Sequence, residues 1–242
     1  MEAPPLDRTQ VHVWTASLSA ERAAMAEFSA VLTAEERARA DRFRAPQLRQ
    51  RFIVGRAILR RLLSTYLRVD ASALHLGYGA HGKPDVASAS GLCFNLSHAD
   101  DMAMYAFAWR RDVGIDIEAI GRAVEIEGVA RQAFSPVECD ALTALAPEAR
   151  PAAFFRIWTR KEAYVKARGD GLGYPTRTFS VSHLAGGDDA LLADERDAGA
   201  RSGWRLLEIA APDGFCAALA APGRDWSARR FDARTLLQPD AR

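Results

Sequence analysis

Residues 135–168 read SPVECDALTALAPEARPAAFFRIWTRKEAYVKAR, and the first four letters set the pattern for the chain. A serine followed three residues later by glutamate is a capping box, and Pro136 between them suits the first position of a helix. The same device stands 102 positions earlier, Thr33 and Glu36 matching Ser135 and Glu138, and at that offset Val11 falls on Val113 and Phe52 on Phe154. One recurrence of this length signals two similar halves rather than a short repeat array. The sequence therefore predicts an α+β fold, a pseudo-dimer of two similar α/β halves, each a long helix packed on a small antiparallel sheet. The halves are placed at 1–112 and 113–242, with an active site at the seam between them.

Working outward, VHVW (11–14) alternates like a strand and RQRFIVGRAILRRLLSTYL (49–67) has the period of an amphipathic helix. LCFNLS, MAMYAFAW and DVGIDIE, separated by HADD and RR, are predicted to form an antiparallel meander joining the first half to the second. TFSVSHL (178–184), GWRLLEIAA (203–211) and FCAALAA (215–221) are predicted to form the matching sheet, with the polar stretch 185–202 an exposed hairpin or loop.

Composition narrows the function class. With 242 residues and 49% hydrophobic content the chain can bury a sizeable core. No apolar run approaches about 18 residues and the N-terminus lacks a basic segment followed by an apolar one, so a cytoplasmic protein with no membrane partner is expected. Cys93, Cys139 and Cys216 are odd in number and without C-x-x-C spacing, which reads as packing rather than as disulfides or zinc. The net charge of +1 advertises no polyanionic partner. Locally, nine arginines between Arg37 and Arg61 form either a solvated helix face or an anion site.

Candidate chemistry gathers in three places. Pro151 and Gly169 bracket a helix over 152–168 whose apolar arc of Phe154, Phe155, Ile157, Trp158, Tyr164 and Val165 also contains Glu162. An ordinary i,i+4 pair with Lys166, worth roughly 0.2–0.5 kcal/mol, is one reading; a delivered carboxylate is the other. In VGIDIE the side chains of Val113, Ile115 and Ile117 point one way, while Asp116 and Glu118 share the opposite face. Together with Glu162 these hard oxygen donors suit Mg²⁺ better than a soft metal. Finally, FNLSHAD puts Ser97 and His98 at a strand end, one hairpin from the acids.

GKP (82–84), FNLSH (94–98), GIDIE (114–118) and WTRKEAYVK (158–166), in this order, resemble the signature of the 4′-phosphopantetheinyl transferases, in size and layout the long, monomeric, surfactin-synthetase-activator type. The resemblance covers most of residues 32–172 and little of the last 70 residues. It implies Mg²⁺-dependent transfer of the phosphopantetheine arm from coenzyme A to a serine hydroxyl of an apo acyl or peptidyl carrier protein, releasing adenosine 3′,5′-bisphosphate. By motif position it implies Asp116, Glu118 and Glu162 as metal ligands, with Glu162 also open as the base. It implies Lys166 and His98 near the pyrophosphate, and Lys83, Ser97, Arg39 and Arg51 as coenzyme A contacts. A nucleic-acid-binding module or a Mg²⁺-dependent nuclease ranks lower, because the charge is near neutral and aromatics interleave the arginines only at Phe43 and Phe52. A scaffold without activity is disfavoured by the full set of acids and motif lysines.

Overall fold

The computed structural model describes residues 4–21, 24–78, 84–86, 91–187 and 190–234. The first half runs β1 (Gln10–Ser17), α1 (Met25–Ala30), α2 (Ala34–Ala40), α3 (Pro46–Leu67), β2 (Leu76–Tyr78), β3 (Pro84–Val86), β4 (Leu92–Ala99) and β5 (Met102–Trp109). The second repeats that order: β6 (Gly114–Ala119), α4 (Ile126–Ala133), α5 (Pro136–Ala144), α6 (Arg150–Arg168), β7 (Phe179–Val181) and β8 (Leu191–Asp194). The short α7 (Ala200–Gly203) is inserted before β9 (Trp204–Ile209) and β10 (Phe215–Pro222), and β11 (Ser227–Asp232) follows outside the repeat.

Both capping boxes form, each with the hydroxyl accepting the N3 amide and the glutamate accepting the cap amide. Pro46 opens α3, and Gly169, at φ 77°, closes α6 in the left-handed region.

In the first half β1, β5 and β4 lie side by side, and in the second β6, β10 and β9 do so, with antiparallel pairing throughout. The predicted meander holds only as far as the β4–β5 hairpin, because β6 leaves that sheet and pairs with β10, Asp116 opposite Ala218. TFSVSHL likewise does not join the second main sheet: β7 pairs with β8 in a separate ribbon, the counterpart of β2–β3. The stretch predicted as loop therefore supplies both β8 and α7. β11 pairs parallel with β1, which sews the end of the chain onto the first sheet.

Strand alternation builds the layers. Val11, Val13, Met104, Ala106 and Ala108 from the first sheet meet Val113, Ile115, Ile117, Ala217 and Leu219 from the second in one buried cluster. The alternate residues Trp14, Ala16, Tyr105 and Phe107 face the α3 side, with Ile58, Leu59 and Leu62. Cys216, Ala218 and Ala220 face the α6 side, with Phe155, Ala163 and Tyr164. The order is helix, sheet, sheet, helix. The acidic face of β6 consequently looks at α6 and not at solvent.

Candidate active site

Gly114 explains how closely that helix lies on the strand. A Cβ there would stand 2.1 Å from the Ala163 carbonyl oxygen and 2.4 Å from the Ala167 nitrogen, so only glycine admits α6 at this separation. Strand residues two apart advance about 6.6 Å and helix residues four apart about 6 Å, so the two spacings run nearly in step. Along this contact Lys166 reaches Asp116, with Glu162 one helical turn before it on α6.

Asp116 is buried, and its Oδ1 accepts hydrogen bonds from Lys166 Nζ at 2.6 Å and Ser97 Oγ at 2.7 Å. Its Oδ2 is buried with no hydrogen-bond partner. An orphaned carboxylate oxygen of this kind is costly unless something cationic is meant to meet it. Burial pushes the Glu162 carboxyl above its ordinary range, and the negative charge of Asp116 adds to this against the pull of Lys166. Burial and Asp116 raise Glu118 as well, opposed by Arg122, whose Nη1 lies 3.3 Å away, by Lys166 and by a hydrogen bond with Trp158. Two carboxyls raised by a shared neighbour mark a place where negative charge exceeds its compensation. Among the described residues no three His, Cys, Asp or Glu side chains form a ready-made cage for a metal ion. Mg²⁺ does not require one, since it keeps waters and binds through one or two carboxylates plus substrate phosphates, and the free oxygen of Asp116 fits that pattern.

Across the seam, Ser97 is buried while His98 lies at the open mouth. Partial desolvation, followed by the charges of Lys166 and Arg51, holds the His98 imidazole below its ordinary range, so it is neutral at neutral pH. A cavity of 760 Å³ begins there, lined by His98, Glu118 and Arg122 together with Arg39, Arg51, Arg56, Phe43 and Phe52. Arg39 lies 5.3 Å from the centre of the Phe52 ring and Arg51 is paired with Asp101 at 2.7 Å. A second cavity, 580 Å³, opens on the α6 side between Trp158, Glu162, Val165, Lys166, Tyr174 and Pro175.

The structure thus brings together Ser97, His98, Asp116, Glu118, Glu162 and Lys166, and places Arg39 and Arg51 in the cavity that His98 opens into. Lys83 lies outside the described residues. Lys161, a lysine of the WTRKEAYVK motif, does not reach these residues: it is buried, bonded to the carbonyls of Thr176 and Phe179 and paired with Glu138 at 2.8 Å. Tyr174 and Asn95 were not singled out in the sequence, and Arg56 was marked only as one of the nine arginines between Arg37 and Arg61; Asn95 carried a signal, since it shares a strand face with Ser97.

Similarity to known proteins spans both halves. The model of the 4′-phosphopantetheinyl transferase superfamily matches residues 112–220, and that of the N-terminal region of a 4′-phosphopantetheinyl transferase matches residues 14–109. The 4′-phosphopantetheinyl transferase HetI of Nostoc sp. is 37% identical over 221 residues, 90% of each chain. Sfp of Bacillus subtilis is 29% identical over 64% of this chain and 67% of its own. AcpT of Escherichia coli K12 is 38% identical over 53% of this chain and 63% of its own. With family models matching both halves and a relative of this identity along nearly its whole length, the chain belongs to the 4′-phosphopantetheinyl transferase superfamily.

Proposed function

We propose that the protein moves the 4′-phosphopantetheine arm of coenzyme A onto a serine hydroxyl of an apo acyl or peptidyl carrier protein, working as a monomer and releasing adenosine 3′,5′-bisphosphate. The observation that carries this reading is a pair of cavities reached by the clustered acids, Glu118 lining one and Glu162 with Lys166 the other. An arginine-lined cavity with two phenylalanines suits a polyanionic nucleotide, and a second cavity walled by Trp158, Val165 and Tyr174 suits an uncharged arm. The scissile pyrophosphate then falls between them, beside Asp116, Glu118, Glu162 and Lys166.

In the reaction the serine oxygen forms a bond to the phosphorus bearing the arm, while the bond from that phosphorus to the bridging oxygen breaks and the nucleotide leaves with the electron pair. Lys166 is placed to balance charge on the phosphate oxygens, and neutral His98 to hydrogen-bond them. Glu162 takes the serine proton. Asp116, Glu118 and Glu162 would hold Mg²⁺, which when bound supplies a Lewis acid for the pyrophosphate. Lys83, Ser97, Arg39 and Arg51 would hold the rest of coenzyme A.

Glu162→Gln keeps the shape of the side chain and removes its basicity. Turnover of coenzyme A and an apo carrier should fall about 100-fold or more, the usual range for a general base, and remain low as Mg²⁺ is raised. Partial rescue by excess Mg²⁺ would instead make Glu162 chiefly a ligand. Full activity at ordinary Mg²⁺ would exclude both roles.

A further inference from the structure

The edge strands β4 and β6 lie side by side at the active site, yet β4 belongs to one sheet and β6 to the other. Among the described residues no strand ladder joins them. The backbone of Ile115 turns its polar groups to this gap, and side chains take them: Asn95 Oδ1 accepts the Ile115 N–H at 2.9 Å and Lys166 Nζ approaches the Ile115 carbonyl at 3.4 Å. Asn95 is itself buried, at 5% exposure, so an unmet amide opposite it would find no water to replace it.

We infer that Asn95 is a positioning residue that fixes the stagger of the two halves at the reacting centre. Asn95 and Ser97 stand two apart on β4 and project to the same side; Ile115 and Asp116 are adjacent on β6. The Asn95–Ile115 bond therefore lies directly next to the Ser97–Asp116 bond of 2.7 Å. Ser97 and His98 ride on the first half, and Asp116, Glu118, Glu162 and Lys166 on the second. A slip of β4 along β6 would shift one set against the other while leaving each sheet intact. A backbone ladder between the strands would hold the register too, but it would draw them to normal strand separation and close the gap in which these side chains meet. An asparagine ties the two edges at one point and leaves the gap open.

The kinetic part of this inference rests on the transferase reading; the geometric part does not. Asn95→Leu keeps the branched outline and deletes the acceptor, whereas Asn95→Asp keeps both. Asn95→Leu should lower kcat by about tenfold or more while KM for coenzyme A stays within about twofold, because misplacement by a fraction of an ångström taxes the reaction and not ground-state binding. Amide hydrogen exchange at Ile115 should quicken by about tenfold or more in Asn95→Leu and stay slow in Asn95→Asp. Asn95→Leu with kcat within about twofold of wild type, or with KM rising in place of a fall in kcat, would overturn the inference. So would rapid exchange at Ile115 in the wild-type protein, a measurement that needs no variant to fold. A wild-type protein without transferase activity would sink the functional reading and leave the exchange result to decide the geometry alone.

Discussion

At the scale of single residues, the two capping-box glutamates do more than begin their helices. Glu36 accepts Arg60 Nε at 2.6 Å, and Arg60 also bonds the carbonyls of Ala71 and Leu74 beyond α3. Glu138 meets Lys161, which bonds the carbonyls of Thr176 and Phe179 beyond α6. Each half thus uses a buried cation on its long helix to fasten the cap before it to the chain after it. Burial pulls the Lys161 ammonium below its ordinary range against the charge of Glu138. Lys161→Met leaves Glu138 buried without its partner and should cost about 3–5 kcal/mol, read as a fall in the urea midpoint. Unchanged stability would show that the pair is replaceable. At Lys166 the expected loss is of activity, because the planar fork of Lys166→Arg cannot occupy the compact position between Asp116 and Ser97; near-wild-type turnover would refute a requirement for lysine there. The capping boxes were legible because their signal is local. The burial of Lys161 was not, because a helical projection ranks a lysine by its hydrophobicity and contains nothing of the carbonyls that a later loop brings to it.

At the scale of elements, the fit of α6 on β6 decides whether the acids and Lys166 meet. Gly114→Ala forces its methyl into the backbone at Ala163 and Ala167, so the helix must move away. Calorimetry should show a loss at or above the upper end of the about 1–3 kcal/mol typical of overpacking, and turnover should fall with it. A protein as stable and active as wild type would contradict the close approach. On the first sheet His12 of β1 is fully buried against Phe231 of β11. Trp14 donates to the Tyr66 hydroxyl, which leaves that hydroxyl to donate to His12 Nδ1, while His12 Nε2 donates to Gln10. The imidazole is therefore neutral, and burial first, then Arg229, against the pull of Asp7, lowers its pKa from 6.5 to about 4. The unfolded chain binds this proton at a higher pH than the folded one, so stability falls as pH drops from about 6.5 towards 4. Linkage gives about 2 kcal/mol between pH 7 and pH 5 for this group. Urea midpoints should fall over that interval in wild type and fall less in His12→Gln; identical slopes would remove His12 as the cause. The six strands β1, β4, β5, β6, β9 and β10 were legible, their partners less so. DVGIDIE alternates in the same way whether it pairs with β5 or with β10, and SARRFD of β11, polar and largely exposed, has no periodic signal at all.

At the scale of the molecule, the two halves share the apolar layer between their sheets, and β11 returns from the second half to the edge of the first. Truncation after Trp226 should bare the β1 edge, lower the melting temperature and promote self-association, as unprotected edges do. A truncated chain that melts like the full one would show β11 to be dispensable. The two-half plan could be read from the offset between capping boxes, and the acids from strand and helix period. What lay beyond the sequence was the gap itself, since the meeting of β4 with β6 is a contact between two sheets that no local pattern encodes. The central claim, that the seam transfers phosphopantetheine, is tested most directly by incubating the protein with coenzyme A, Mg²⁺ and a panel of apo carrier proteins and weighing the intact carriers. At least one carrier should gain the mass of a phosphopantetheine group at its acceptor serine, and the gain should vanish with Asp116→Ala although that variant still folds. No gain on any carrier, or an equal gain with Asp116→Ala, would contradict it.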